Sequence, residues 1–136
     1  MPGAATDYLE QKMGDHIFRS ATYTKPTQFH IALFTTMPDD TGANGVEVAG
    51  NNYSRIRNDP GDANWSRSTD GTNKYWNAQA LEFPLQTGSW GEVIGHGLFD
   101  ENGNLLIADL LDTPRTVDLT MANPVFPPGY LVYSFS

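Results

Sequence analysis

The chain has 136 residues, 39% hydrophobic and 12% aromatic, enough apolar material for one folded domain that buries about two-thirds of its unfolded surface. Eight basic residues against sixteen acidic ones give a formal charge of −8, which excludes a nucleic-acid partner, because phosphates demand clustered Lys and Arg. With no cysteine there are no disulfides, thiolate metal sites or thiol nucleophiles, and no apolar run approaches the ~20 residues of a membrane span, so no membrane partner is expected.

The N-terminal MPGAATDYLEQ lacks the basic start and apolar core of a signal peptide, so none is expected. Residues 6–19 read as the one convincing helix. Thr6 is its N-cap, and Asp7 and Glu10 lie near the positive end of the dipole. Leu9, Met13 and Ile17 recur every four residues as one apolar stripe flanked by Tyr8. That stripe must dock on this domain's own sheet or on another subunit. Gly14 weakens the helix interior by about 1 kcal/mol relative to Ala.

From residue 23 onward the signals are strands and turns. Residues 29–36 (FHIALFTT) predict a buried strand, and residues 37–44, with Pro38, two aspartates and Gly42, a loop. Short strands follow at 46–48 and 53–57 around a Gly50-Asn51-Asn52 turn, with a bulge or edge position expected near Tyr53 and Ile56. The polar stretch 58–73, carrying Trp65, reads as a long surface loop of the kind that makes contacts.

A strand at 75–83 leads to residues 89–111, SWGEVIGHGLFDENGNLLIADLL, which read as one hairpin. Asn102-Gly103 predicts a type I′ turn with positive φ at both residues. Counting from it, Phe99 faces Leu106, Gly97 faces Ala108 and Gly95 faces Leu110 on one side. Leu98 faces Ile107, His96 faces Asp109 and Ile94 faces Leu111 on the other. Both faces are largely apolar, so cover is expected on both. Gly95 and Gly97 leave two gaps for close approach of another group, with Trp90 or an aromatic from across the sandwich as the expected filler. After Pro114 a strand at 116–121 is expected, then a sharp Pro127-Pro128-Gly129 turn and a closing strand at 130–135. About eight short strands at this spacing predict an all-β fold, an antiparallel sandwich or barrel with one N-terminal helix (residues 6–19) and a β body (23–136) in a single domain, 1–136.

Chemistry is sparse. His16, His30 and His96 are dispersed, and His96 opposite Asp109 is read as a cross-strand polar pair on a partly wet face rather than half of a triad. The run Asp100 to Asn104 begins like a calcium loop but has Leu105 and Leu111 where Gly and Glu are required, so the hairpin turn accounts for it. Asp39-Asp40 and Asp59-Pro-Gly-Asp62 read as turns. Glu47, Glu82, Glu92 and Glu101 are isolated carboxylates whose separation decides any glycosidase reading. Trp65, Trp76 and Trp90, with six tyrosines, suit core or interface anchoring better than a sugar platform. Catalytic residues, metal ligands and cofactors are therefore all expected to be none.

Several blocks occur in a fixed order: TDYLEQKMGDHIF, KPTQFHIALFTTMPDD, EVAGNNYSRI, the Trp65 loop, LEFP, SWGEVIGHGLFDENGNLLIADLLDTPRTV and PPGYLVYSF. In that order the chain resembles a family of small tailed-bacteriophage virion proteins, commonly labelled tail fibre proteins. It is also similar to the jelly-roll cement or decoration proteins on the outside of phage heads. The resemblance implies a non-enzymatic structural protein with a jelly-roll sandwich, assembled as a homo-oligomer (dimer or trimer). As a capsid cement protein it would stabilise the head shell on its outer surface by bridging subunits of the major capsid protein. The alternative is a tail fibre or receptor-binding module contacting host glycans, and a weaker third reading is a glycosidase. Residues 4–17 and 59–73 are the expected contact segments, with Tyr8, Leu9, Met13, Ile17, Trp65, Tyr75 and Trp76 as candidate interface residues.

Overall fold

A computed structural model describes residues 5–135. One helix, α1 (Asp7–Phe18), precedes ten strands: β1 (His30–Thr36), β2 (Val46–Glu47), β3 (Ile56–Arg57), β4 (Trp65–Arg67), β5 (Lys74–Asn77), β6 (Leu81–Glu82), β7 (Gly91–Phe99), β8 (Leu105–Val117), β9 (Val125–Phe126) and β10 (Val132–Ser134). The strand pairings are all antiparallel. The largest sheet runs β2-β1-β7-β8, with β3 also on β1, and faces the smaller sheets β10-β5-β4 and β6-β9. Between these layers Ile31, Leu33 and Leu98 pack with Phe83, Leu131 and Tyr133 in one core. The fold is thus mostly β with one helix, as the sequence predicts.

The β7–β8 hairpin holds the predicted register at four pairs: Gly95–Leu110, His96–Asp109, Gly97–Ala108 and Leu98–Ile107. Its ends depart. Positive φ occurs at Gly103 (83°) and not at Asn102. The Asp100 carboxylate accepts the amides of Asn102 and Asn104, both at 2.9 Å, and so organises a turn one residue longer than type I′. Phe99 consequently opposes Leu105 rather than Leu106. At the other end Ile94 does not meet Leu111: between Val93–Arg115 and Gly95–Leu110, residues 111–114 bulge out against this single residue. The bulge takes Pro114 out of the ladder, so β8 passes through it to Val117 instead of breaking there.

Both faces of β7 are covered. On the outer face Ala32, Gly97 and Ala108 line up across three strands as a shallow floor. A Cβ on Gly97 would lie 2.6 Å from Phe34 Cε2, and one on Gly95 only 2.7 Å from the carbonyl oxygen of Asp109 and against Met37 Sδ. The gaps are filled by Phe34 and Met37 from the neighbouring strand and its loop, not by Trp90. On the inner face His96 is buried, and its Nδ1 shares a 2.9 Å hydrogen bond with the Tyr133 hydroxyl. Its ring also meets Phe126 edge-on. The expected His96–Asp109 pair on a wet face is therefore corrected: the two residues are in register, but the imidazole turns into the core and bonds the tyrosine. Burial alone drives the imidazole pKa down to about 4.

Three further expectations change. Residues 58–73 contain β4, paired with β5. The expected strand at 75–83 divides because the fully buried Asn77 ends it: its amide donates to the carbonyls of Gln79, Phe126 and Pro127, and its Oδ1 accepts from the Leu131 amide. The expected strand at 116–121 contributes only its first two residues, to β8.

The helix is capped as predicted. Thr6 Oγ1 accepts from the Leu9 amide at 3.4 Å and donates to the Leu105 carbonyl at 2.7 Å, tying the cap to β8. Leu9 alone of the helix is buried, so α1 docks by its first turn. No described helix is long and apolar enough to cross a membrane.

Two glycines should respond oppositely to alanine. Gly14 lies in the helix with nothing near its would-be Cβ, so Gly14→Ala should stabilise by up to about 1 kcal/mol, a rise of about 4 °C in Tm. Gly95→Ala must displace backbone and should cost about 1–3 kcal/mol by overpacking; thermal melts of both variants check the pair. The unfolded chain takes up a proton at His96 near pH 6.5 while the folded chain does not until about pH 4. Stability from this group is therefore complete above pH 6.5, falls as pH drops toward 4, and then levels, a total of about 3 kcal/mol. Urea unfolding of the wild type and of His96→Gln across this window should show the slope in the first and its loss in the second.

Candidate functional site

Strand alternation places Trp65, Arg67, Tyr75 and Tyr133 on one face of the β10-β5-β4 sheet, since Arg67 opposes Tyr75 and Tyr75 opposes Tyr133. That face does not close completely on the large sheet. It leaves a cleft of about 790 Å³ whose floor reaches Leu98 and Ile107 and whose walls include Phe29, Trp65, Tyr75 and Phe135.

Trp65 is the fixed element of the cleft. Its ring stands edge-on to Phe29 at 6.0 Å and tilted against Tyr133 at 6.2 Å. Its Nε1 donates to the Asn58 carbonyl at 3.1 Å, and its own amide donates to the Gly61 carbonyl. Residues 58–64 thus fold back beneath it; Asn58 donates its amide to the Phe29 carbonyl, and Asn64 Nδ2 donates to the Asp59 carbonyl. Tyr75 and Phe135, both exposed, meet edge-on at 6.4 Å at the mouth.

The polar rim carries Lys25, Arg67 and Asp62. The two ion pairs formed among the described residues are Arg55–Glu47 and Arg57–Asp59, so neither Lys25 nor Arg67 is neutralised by one. In the first pair burial pushes the Glu47 carboxyl up, but hydrogen bonds from Arg55 and Tyr53 outweigh it and hold the group below its ordinary range. In the second, the Arg57 guanidinium holds Asp59 low.

The candidate residues divide into three sets. Trp65 and Tyr75 come together in the cleft, whereas Trp76 lies on the opposite face of β5, opposite Ser66. On the helix, Leu9 is buried in the fold's own core, Tyr8 is half-buried with its hydroxyl accepting from Asn104 Nδ2, and Met13 and Ile17 are exposed. Residue 4, where the expected N-terminal contact segment starts, lies outside the described residues. Phe18, 85% exposed, extends the open helix surface and had not been singled out from sequence. Lys25, Phe29, Arg67, Tyr133 and Phe135 were missed as cleft residues. The alternation Leu131, Tyr133, Phe135 marks one face of the closing strand and was the available signal for the last two.

The four carboxylates considered for sugar cleavage are engaged on separate elements or exposed. Glu47 pairs with Arg55, Glu82 accepts from Asn123 Nδ2, Glu101 accepts from the amide and hydroxyl of Thr27, and Glu92 faces solvent on β7. His16 Nδ1 accepts from the Tyr23 amide, and His30 bonds Gln28. Among the described residues no group of three or more His, Asp or Glu is placed to hold a metal ion.

A comparison with curated proteins finds no match. A family model described as the podophage GP4 fiber I protein gp80 matches residues 4–133, nearly the whole chain, including the helix and the cleft residues up to Tyr133. The resemblance carried by the helix, FHIALFTT and SWGEVIGHGLFD blocks is thereby given a specific home, and the chain belongs to this phage virion protein family of fiber I proteins.

Proposed function

We propose that the chain is a non-enzymatic structural subunit of a virion fibre, held in place by contacts between copies of itself. The observation that carries the reading is the fiber I family match over residues 4–133, and the helix supplies a means of assembly. Beyond its first turn α1 leaves Met13, Ile17 and Phe18 39%, 64% and 85% exposed. Burying such a surface is favourable by roughly 25 cal/mol per Å² of apolar area. In a dimer the helix face can meet its own copy across a two-fold axis; in a trimer or a longer stack it would dock on a second patch of the neighbouring copy, the same two patches recurring at every junction.

The head-cement role, with the major capsid protein as partner on the outer surface of the capsid, would draw on the same apolar face. The fibre is preferred because the matching family is described by a fibre protein. In the same reading, the five-stranded sheet facing β10-β5-β4 and β6-β9 is a reduced variant of the jelly roll that the resemblance implies.

Cryo-electron microscopy of virions carrying this chain should place its density in a fibre; density confined to the head shell would reverse the choice in favour of cement. In solution, light scattering should report an oligomer for the wild type and a folded monomer for the double substitution Ile17→Asp, Phe18→Asp. A monomeric wild type would remove the helix face as the junction.

A further inference from the structure

The geometry points to the Trp65 cleft as a binding site for a carboxylate-bearing saccharide. The inference rests on the fibre reading only for where such a sugar would be met, on a cell surface; the recognition chemistry rests on the cleft itself. Its volume of about 790 Å³ lies in the range of small-ligand cavities, roughly 300–1,000 Å³.

The walls match a sugar's two kinds of surface. Pyranose rings present C–H faces that pack on aromatic rings, and Trp65, Tyr75 and Phe135 offer such rings near the opening. Trp65 is held by its own hydrogen bond to Asn58 and by Phe29, so little side-chain entropy is lost when a ligand packs on it. Hydroxyl groups need acceptors, and the exposed Asp62 carboxylate supplies one at the rim.

Charge decides between neutral and acidic sugars. The chain carries −8 overall, yet two of its eight basic residues, Lys25 and Arg67, line this one cleft without forming an ion pair among the described residues. Two further arginines, Arg55 and Arg57, are consumed by Glu47 and Asp59. A carboxylate is the matching partner for either cation, and the Arg67 guanidinium can take it in a two-point fork. A fully ionised inorganic anion such as sulfate would meet Asp62 with no hydroxyl to offer it. Sugar hydroxyls with a carboxylate on the same molecule fit all three groups.

The test is a glycan array probed with the full chain, containing uronic-acid and sialic-acid saccharides beside neutral counterparts of the same length. Retention should be confined to the acidic members, and the best of them should change Trp fluorescence saturably. Arg67→Gln should weaken that binding at least tenfold and Tyr75→Ala comparably, with circular dichroism unchanged, and added salt should weaken the wild type toward the Arg67→Gln level. No retention, equal retention of neutral sugars, or full binding by Arg67→Gln would overturn the inference. Protection of Trp65 from acrylamide that grows with protein concentration in the absence of sugar would also overturn it, by assigning the cleft to a second copy. An empty array beside fibre density in virions removes the sugar site and leaves the fibre reading; acidic-sugar binding beside head-shell density does the reverse.

Discussion

The fold depends on β7 being buried on both faces at once. A strand in that position must offer one side to the interlayer core and let the other be covered tightly by its own sheet's loops. Leu98 and His96 do the first against β9 and β10. Gly95 and Gly97 do the second, by leaving room for Met37 and Phe34 to lie down on the strand. The Phe34 ring then approaches Phe99 at 6.3 Å, and the Arg55 guanidinium sits 3.8 Å over Phe99. The glycines forgo side-chain packing of their own, and the neighbours regain it as contact.

The other edge of β1 shows how backbone polarity is managed when strands are short. β3 pairs at His30 and Ile31, β2 at Phe34 and Thr36, and Leu33 falls in the interval between them. Its carbonyl accepts from the Val48 amide, and its amide donates to the Tyr53 hydroxyl at 3.0 Å. That hydroxyl in turn donates to Glu47, which is gripped at both oxygens by Arg55. A side chain thus replaces a missing ladder bond, and a charged pair fixes the side chain. The half-buried Tyr53 hydroxyl is held protonated, its pKa pushed well up first by burial and then by Glu47.

Much of this was legible from spacing. Thr6 as cap, the strand over FHIALFTT and four cross-strand pairs of the hairpin follow from local rules that the tertiary structure did not overrule. The failures share a cause. Asp100 reorganised the turn through its carboxylate, Asn77 ended a strand through four hydrogen bonds to residues near and far in sequence, and Pro114 was accommodated by a bulge. In each, a polar or rigid residue acted through partners that periodicity does not reveal. The cleft was half visible: Trp65 stood out as an isolated aromatic, but Phe29, Tyr133 and Phe135 join it only through strand pairing across some 100 residues of chain.

The bulge at residues 111–114 has a consequence beyond local geometry. Within the described residues β8 is an edge of the large sheet, covered from outside only near its start, where Ala5 bridges Ile107 and Thr6 bonds the carbonyls of Leu105 and Leu106. A straight edge of thirteen residues would be a template for strand addition from any identical chain. Here Asp109, Asp112 and Arg115 project charge from the outer half, while the bulge and Pro114 break its repeat. The kink denies that route, so any contact made along this edge must run through side chains, which can tell one neighbour from another.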